Sequence, residues 1–439
     1  MDPNPLLDAL IDEAGMSHAG LAARVNKVAG SGYDHTAVAR WIRKGQRPRG
    51  SVPDALCAIL GERLGRPLTL DDIGMGTPGS MAPPALTGYL DRATALWRSD
   101  SQARPEVQAV QAVTGTAAVV PVWEWENPPD DRDVSRLGTV HVGATDVQML
   151  RTARTRYEQM YRGAGGVATK TRIVAFLTEH TAPLVRGAYT DAVGRDLLRA
   201  AGGLAAVAGI CSYDADAQGL AQRYFHQALR LAKASGDRAF GGYVIALLVN
   251  QAIYLRDYRQ AVAFAEAGVR SAGPHISPAL ATDLHAMQAK SYARMGDASS
   301  AHAAMGRAES AASRIRRAEE PPETGYVQPG LVEAQLAETL ISLGDWGPAR
   351  QYAEEAVQTQ AHARGRVHRL ATLTTVDLGR GDADQAAAHA VGALDLAVGM
   401  ESRRLRDRFV ALRRQLSGHN TAATRDAVDR IDDVLAVPL

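Results

Sequence analysis

Five helical stretches in the second half of the chain carry a small residue and another seven positions on: Ala221 and Ala228, Ala261 and Gly268, Ala301 and Ala308, Ala349 and Ala356, Ala386 and Ala393. Seven residues are close to two helical turns, so both members of a pair share one face. Four pairs follow an aspartate four positions back, Asp257, Asp297, Asp345 or Asp382, and in three of these turns a glycine precedes it. Successive units are offset by 40, 40, 48 and 37 residues, and the long step contains the loop Glu319 to Pro329, which accounts for its excess. Two antiparallel helices approach closely only where small side chains sit at the crossing. A Gly-Asp turn lets the chain reverse between them. One such hairpin cannot bury its apolar face alone, so copies must stack. From about residue 145 onward little alternates with the two-residue period of strands.

This pattern resembles tetratricopeptide repeats, with longer helices or loops than their usual period of about 34 residues. An alanine-rich bundle with chance spacing is the alternative. The predicted fold class is all-α: an N-terminal repressor-like helix-turn-helix domain (1–73), a linker with a short helix (74–138) and a C-terminal tetratricopeptide-type α-solenoid (139–439). Within the linker, 74–85 is rich in Gly and Pro, 86–98 is helical, and 101–138 has no clear pattern.

The first 70 residues hold four short helical patterns: 5–14, a second begun by Ser17 as N-cap, a third from Asp34 to Lys44 closed by Gly45, and a fourth from Pro53 to Leu64. Net charge is only +1, so nucleic-acid affinity would have to come from a local patch. Arg40 to Arg49 (RWIRKGQRPR) is such a patch, with five basic residues and no acid. From Arg24 to Arg49 seven basic residues face one acid, Asp34. A solvated helix end is the bland reading of a charge run; a phosphate-contacting stripe is the other.

Ser17-His18-x-x-Leu21-Ala22-x-x-Val25, Thr36-x-Val38-x-Arg40-Trp41 and Gly45-x-Arg47-Pro48 together resemble the bacterial repressor-like helix-turn-helix domains grouped as the Xre family. The resemblance implies a positioning helix, then a reading helix with Val38 and Trp41 toward the core. It implies that Asp34, His35, Thr36, Ala37 and Arg40 face the major groove, with Arg40 best suited to pair with guanine. Ser17, His18, Arg43, Lys44, Arg47 and Arg49 would meet phosphates. His35 has an equal reading as a capping or packed residue. The turn from Asn26 to Tyr33 is longer than the family's.

Residues 165–237, above all Leu197 to Gly203 and Tyr213 to Lys233, resemble actinobacterial regulators that join this DNA-binding domain to tetratricopeptide repeats, some of them regulators of sporulation or antibiotic production. Five lysines against 44 arginines are consistent with a GC-rich bacterial genome. The architecture also resembles peptide-responsive repeat regulators, which implies a concave face for a short peptide. Asn250, Gln251 and Tyr254 on one first helix, and Gln288 and Tyr292 on the next, are the residues for such a role; packed or merely exposed side chains are the alternative. A peptide, a small molecule or a protein partner all stay open.

Other signals exclude more than they assign. Gly74-x-Gly76-x-x-Gly79 matches a dinucleotide fingerprint by letter, but Pro78, Pro83 and Pro84 break the helix it needs. Gly379-Arg-Gly-Asp382 is a repeat turn. The histidines lack zinc spacing, and no nucleophile elbow, P-loop or carboxylate pair appears, so no enzyme, metal or cofactor is expected. Cys57 and Cys211, among apolar neighbours, read as buried thiols. No signal peptide or membrane span is expected, which places the chain in the cytoplasm with the nucleoid. The expected function is a dimeric, sequence-specific transcriptional regulator binding double-stranded DNA, with the repeat domain dimerising and sensing. The alternative is an interaction scaffold that uses the helix-turn-helix for docking.

Overall fold

The small residues that mark the repeat in the sequence sit at its helix crossings. Ala221, Ala228, Ala261, Ala301, Ala308, Ala349, Ala356, Ala386 and Ala393 are fully buried. A Cβ at Gly268 would stand 3.2 Å from both Ile245 and Leu284 side chains, so this crossing is at its closest approach and a larger residue would overpack it.

The computed structural model describes residues 3–437 apart from 65–67, 69, 71, 76–85, 274 and 275. In chain order the helices are α1 (Pro5–Glu13), α2 (His18–Ala29), α3 (His35–Arg43), α4 (Val52–Leu64), α5 (Leu86–Ser101), α6 (Pro105–Gln108), α7 (Val120–Glu126), α8 (Ala144–Ala164), α9 (Gly166–Phe176), α10 (Ala182–Val185), α11 (Asp191–Asp214), α12 (Gln218–Ser235), α13 (Arg238–Tyr254), α14 (Tyr258–Ala272), α15 (Pro278–Arg294), α16 (Ala298–Ala312), α17 (Leu331–Leu343), α18 (Trp346–Gln358), α19 (Ala363–Arg380), α20 (Ala383–Leu396), α21 (Arg403–Leu416) and α22 (Ala422–Ala436). The protein is all-α: among the described residues strand pairing is limited to two isolated bridges, Arg136 with Tyr189 and His141 with Ala188. No described helix is long and apolar enough to cross a membrane.

The chain divides into two compact units. Unit 1 comprises Met1–Val110, Asp131–Val147 and Thr171–Leu197; unit 2 comprises Gln111–Asp130, Gln148–Lys170 and Leu198–Leu439. In unit 1, α1 to α4 enclose a core that includes Leu7, Ile11, Leu21, Trp41, Leu56 and Ile73. Asn4 ties its ends together: the side chain caps α1 through the Leu7 amide (3.1 Å) and donates to the Ile73 carbonyl (2.8 Å). Helix α5 packs along α1 around the fully buried Trp97. The Pro/Gly-rich stretch expected at 74–85 falls, from residue 76 on, outside the described residues, as do Gly76 and Gly79 of the fingerprint. Of the stretch 101–138, α6 belongs to unit 1, whereas a 3-10 turn at Gly115–Ala118 and α7 belong to unit 2.

In unit 2 consecutive helices pack in series from α12 to α20, and α13, α15, α17, α19 and α21 also pack each on the next but one. That is the arrangement of a helical repeat array, with first helices forming one layer. Asp257 and Asp297 cap α14 and α16 through the Gln260 and Ser300 amides (3.2 and 3.0 Å). Asp345 and Asp382 stand at the same position without that bond. The residue before each aspartate is left-handed: Gly296, Gly344 and Gly381 have φ of 82°, 82° and 88°, and Arg256 takes φ 63° without glycine's freedom.

Helix α21 lies against the beginning of the array as well as its end. Tyr254 of α13 donates to Asp407 (2.8 Å), and the Arg404 guanidinium lies 4.1 Å from the Tyr213 ring centre and 5.4 Å from that of Tyr254. Beneath them, Asp214 accepts from the Gly166 amide (2.7 Å) and the Ser402 hydroxyl (2.8 Å) and pairs with Arg364. Glu338 sits between Lys290 (2.7 Å) and Arg408 (3.1 Å). Burial works to raise its pKa, but the two cations outweigh it and hold the carboxyl well below the usual range. The loop that lengthens the third repeat is itself packed: Glu323 pairs with Arg199 (2.9 Å), and Tyr326 donates to buried Asp283 (2.5 Å).

Candidate nucleic-acid interface

Helix α3 begins and ends where its sequence says it should. Asp34 is the N-cap, accepting from the Ala37 amide (2.9 Å) and the Thr36 hydroxyl (2.7 Å). Those bonds, the Thr36 hydroxyl first, lower the pKa of Asp34, so it is ionised at neutral pH. Lys44 closes the helix and Gly45 follows at φ 57°.

The turn before α3 is shorter than expected. Helix α2 continues to Ala29, so only Gly30–Asp34 separate the two helices. Gly30 ends α2 at φ 61°, a conformation that suits glycine at a helix C-terminus. Asn26 then holds the turn from inside the last turn of α2. Its Nδ2 donates to the Tyr33 carbonyl (2.7 Å), and its Oδ1 accepts from the Tyr33 amide (2.8 Å) and the Ser31 hydroxyl (2.9 Å). Tyr33 in turn packs edge-on against Trp41, with ring centres 5.0 Å apart. Asn26 and Tyr33 were not singled out from sequence; an Asn seven residues before an aromatic has no recognisable signature.

Helix α3 buries Ala37, Val38, Trp41 and Ile42. These are positions i, i+1, i+4 and i+5, one face of a helix. Ala37, expected to read bases, is therefore corrected to a core position: it is 2% exposed and packs with Val38. The opposite face carries His35, Thr36 and Arg40, all exposed, then Ala39, half-buried, and Arg43, exposed. Ala39 is the small residue on the outward face, and the same helical spacing, counted from Thr36 and Arg43, would have found it.

Lys44, Arg47 and Arg49 follow α3 and are exposed. Among the described residues the side chains of Arg40, Arg43, Lys44 and Arg49 form no ion pair or hydrogen bond. The acids of α1 are engaged: Asp8 and Asp12 pair with Arg104, and Glu13 with Arg186 (3.0 Å). Arg40, Arg43, Lys44 and Arg49 thus stand without an ion pair among the described residues although the chain is nearly neutral. Ser17 is exposed and caps α2 through the Gly20 amide (3.1 Å), with half-buried His18 as the first helical residue.

The residues considered for a peptide fare differently. Gln251 and Gln288 are 1% and 4% exposed and do not line an open face. Tyr254 is engaged by Asp407 and Arg404 of α21. Asn250 is exposed, and Tyr292, half-buried, reaches Glu266 on α14 (3.5 Å). The structure does not gather these five into one surface.

Cys57 and Cys211 are buried, free thiols. Burial pushes Cys57 up to about 11, with Asp54 and Asp72 adding to it, and pushes Cys211 higher still. Among the described residues no group of three His, Cys, Asp or Glu could hold a metal ion.

No curated protein matches the chain. Residues 7–76, which hold most of α1 and all of α2 to α4, match the SP15 N-terminal domain family.

Proposed function

We propose that the chain is a sequence-specific DNA-binding transcriptional regulator that reads double-stranded DNA through α3. One observation carries this reading. The outward face of α3 and the segment after it hold Arg40, Arg43, Lys44 and Arg49 without an ion pair or side-chain hydrogen bond among the described residues, on a helix set by its own caps and by the Asn26 turn. Cations left unpaired beside an exposed helix face are what phosphate contact requires. The resemblance of this segment to repressor-like helix-turn-helix domains, and of its surroundings to actinobacterial regulators, supports the same reading.

In this proposal His35, Thr36, Ala39 and Arg40 meet base edges, and Arg43, Lys44, Arg47 and Arg49 meet phosphates. Amides at the start of α2, beside Ser17 and His18, add an anion site of the kind helix N-termini provide. Two copies would occupy half-sites about 34–36 Å apart or a multiple of that spacing, with unit 2 joining them and responding to an effector. Selection of duplexes from a random library by the full chain tests the reading. A recovered motif supports it. Recovery of a stable protein partner from cells with no enriched DNA sequence would instead favour a docking scaffold.

A further inference from the structure

Residues 111–127 lie on unit 2 as a bound peptide lies on a receptor. Their main chain is read by side chains of α12, α13 and α14 and the turn between the last two. Gln222 accepts from the Val113 amide (2.8 Å) and donates to the Val113 carbonyl (2.7 Å). Asp257 accepts from the Gly115 amide (3.2 Å), and Gln260 donates to the Gly115 carbonyl (3.4 Å). Lys233 donates to the carbonyls of Glu124 and Asn127, and Arg238 to that of Trp125 (2.9 Å). Gln222 and Gln260 are 7% and 8% exposed, so these are built contacts rather than surface chance.

A single aromatic anchors the segment. Trp125 is 1% exposed, and a Cβ on Gly241 would stand 2.3 Å from its ring. Among the described residues its Nε1 has no hydrogen-bond partner; packing holds it, with the Arg238 guanidinium 5.4 Å from its ring centre. One buried tryptophan with side chains reading the surrounding main chain is a mode of peptide recognition. In chain order, unit 1 ends at Val110 and resumes at Asp131, so the segment is a self-contained arm between two stretches of unit 1. Its outer side is apolar. Val119, just before α7, and Val120 and Trp123 on it are 41%, 52% and 56% exposed, and exposed tryptophan is uncommon.

We propose that this site exchanges arms between two copies of the chain, the arm of one seated on α12–α14 of the other. Residues 111–127 are the sequence the site demonstrably fits, and every copy carries both arm and site. Exchange remakes each contact above, so it costs only the freedom lost on association. The proposal does not rest on DNA binding.

The test mixes two full-length variants. Trp125→Ala has an arm without its anchor and an intact site; Gly241→Leu has an intact arm and a filled site. Neither can complete an arm–site pair alone, but an exchanged heterodimer contains one complete pair. Native mass spectrometry should show heterodimer at least tenfold above the self-association of either variant. Val113→Pro, which removes the amide read by Gln222, mixed with Gln222→Ala repeats the logic with milder changes should the first pair fold poorly. Excess synthetic peptide 111–130 should dissolve the heterodimer. If variants folded by circular dichroism form no heterodimer in either mixture, or if the heterodimer resists the peptide, the proposal is overturned.

Discussion

Replacing Asp214 by asparagine should uncouple α19 and α21 from α11. Asp214 is fully buried, and Arg364 beside it is nearly so, with 5% of its side chain exposed. The carboxylate accepts from the Gly166 amide, the Ser402 hydroxyl and Arg364, all of which only donate to it. Asparagine keeps one acceptor oxygen and turns an NH2 group toward one of these donors. It also leaves the Arg364 charge with no carboxylate, in contact mainly with the Tyr161 ring, whose centre is 5.0 Å away. Removing one partner of a buried pair costs about 3–5 kcal/mol. Taking the lower figure, amide protection should fall about 150-fold, since each 1.4 kcal/mol is a factor of ten. Hydrogen exchange read by mass spectrometry localises the change, which should fall on 205–214, 363–372 and 401–408. Adding Arg364→Leu should restore part of the loss, because the unpaired charge is then gone. Protection within threefold of the parent at those amides would refute this account of how Asp214 joins α11, α19 and α21.

Three further outcomes follow from local chemistry. Burial, with Arg223 nearby, pushes His226 down to about 4, and burial with Arg364, Arg404 and Arg408 holds His368 well below its ordinary range. Because both titrate lower when folded than the unfolded value near 6.5, unit 2 should lose stability as pH falls from about 6.5 toward 4, by roughly 2 kcal/mol from His226 at pH 5 and in the same direction from His368; an unchanged urea midpoint between pH 7 and 5 would contradict this. Arg256→Gly should stabilise unit 2 by about 1 kcal/mol, since φ 63° strains a non-glycine residue there; calorimetry showing a lower melting temperature would count against the strain. Asn26→Ala frees the turn before α3 and should cost about 1–2 kcal/mol, while weakening binding to a selected duplex more than to random DNA; equal losses on both would deny Asn26 a part in placing α3.

The helical repeat was legible because its cause is local. Small residues at two-turn spacing and aspartates after left-handed turns are required by each hairpin separately, so each can be read without knowing its neighbours. The ends of α3 were legible for the same reason, from Asp34 and Lys44. What escaped was set by contacts distant in sequence. Nothing near Tyr254 announces that Asp407 lies against it, and Glu319 to Pro329 reads as an insertion until Glu323 and Tyr326 are found packed among α11, α13 and α15. Residues 111–127 have no period because their main chain is held by side chains of other helices. Ala37 differs in kind: it lies at the start of α3 among outward residues, but its four-residue spacing to Trp41 places it on the buried face.

The most direct test of the central claim is the affinity of the full chain for a library-selected duplex and for random DNA as a function of salt, with Arg40→Ala and Arg47→Ala beside the parent. If Arg43, Lys44, Arg47 and Arg49 of two copies each meet a phosphate, log affinity should fall with log salt at a slope of about −7, a loss on the order of 10⁴-fold between 50 and 200 mM. Arg40→Ala should erase most of the preference for the selected duplex, and Arg47→Ala should weaken both duplexes alike and flatten the slope. Affinity independent of salt, or no selectable sequence at all, would contradict the assignment of α3 as a DNA-reading helix.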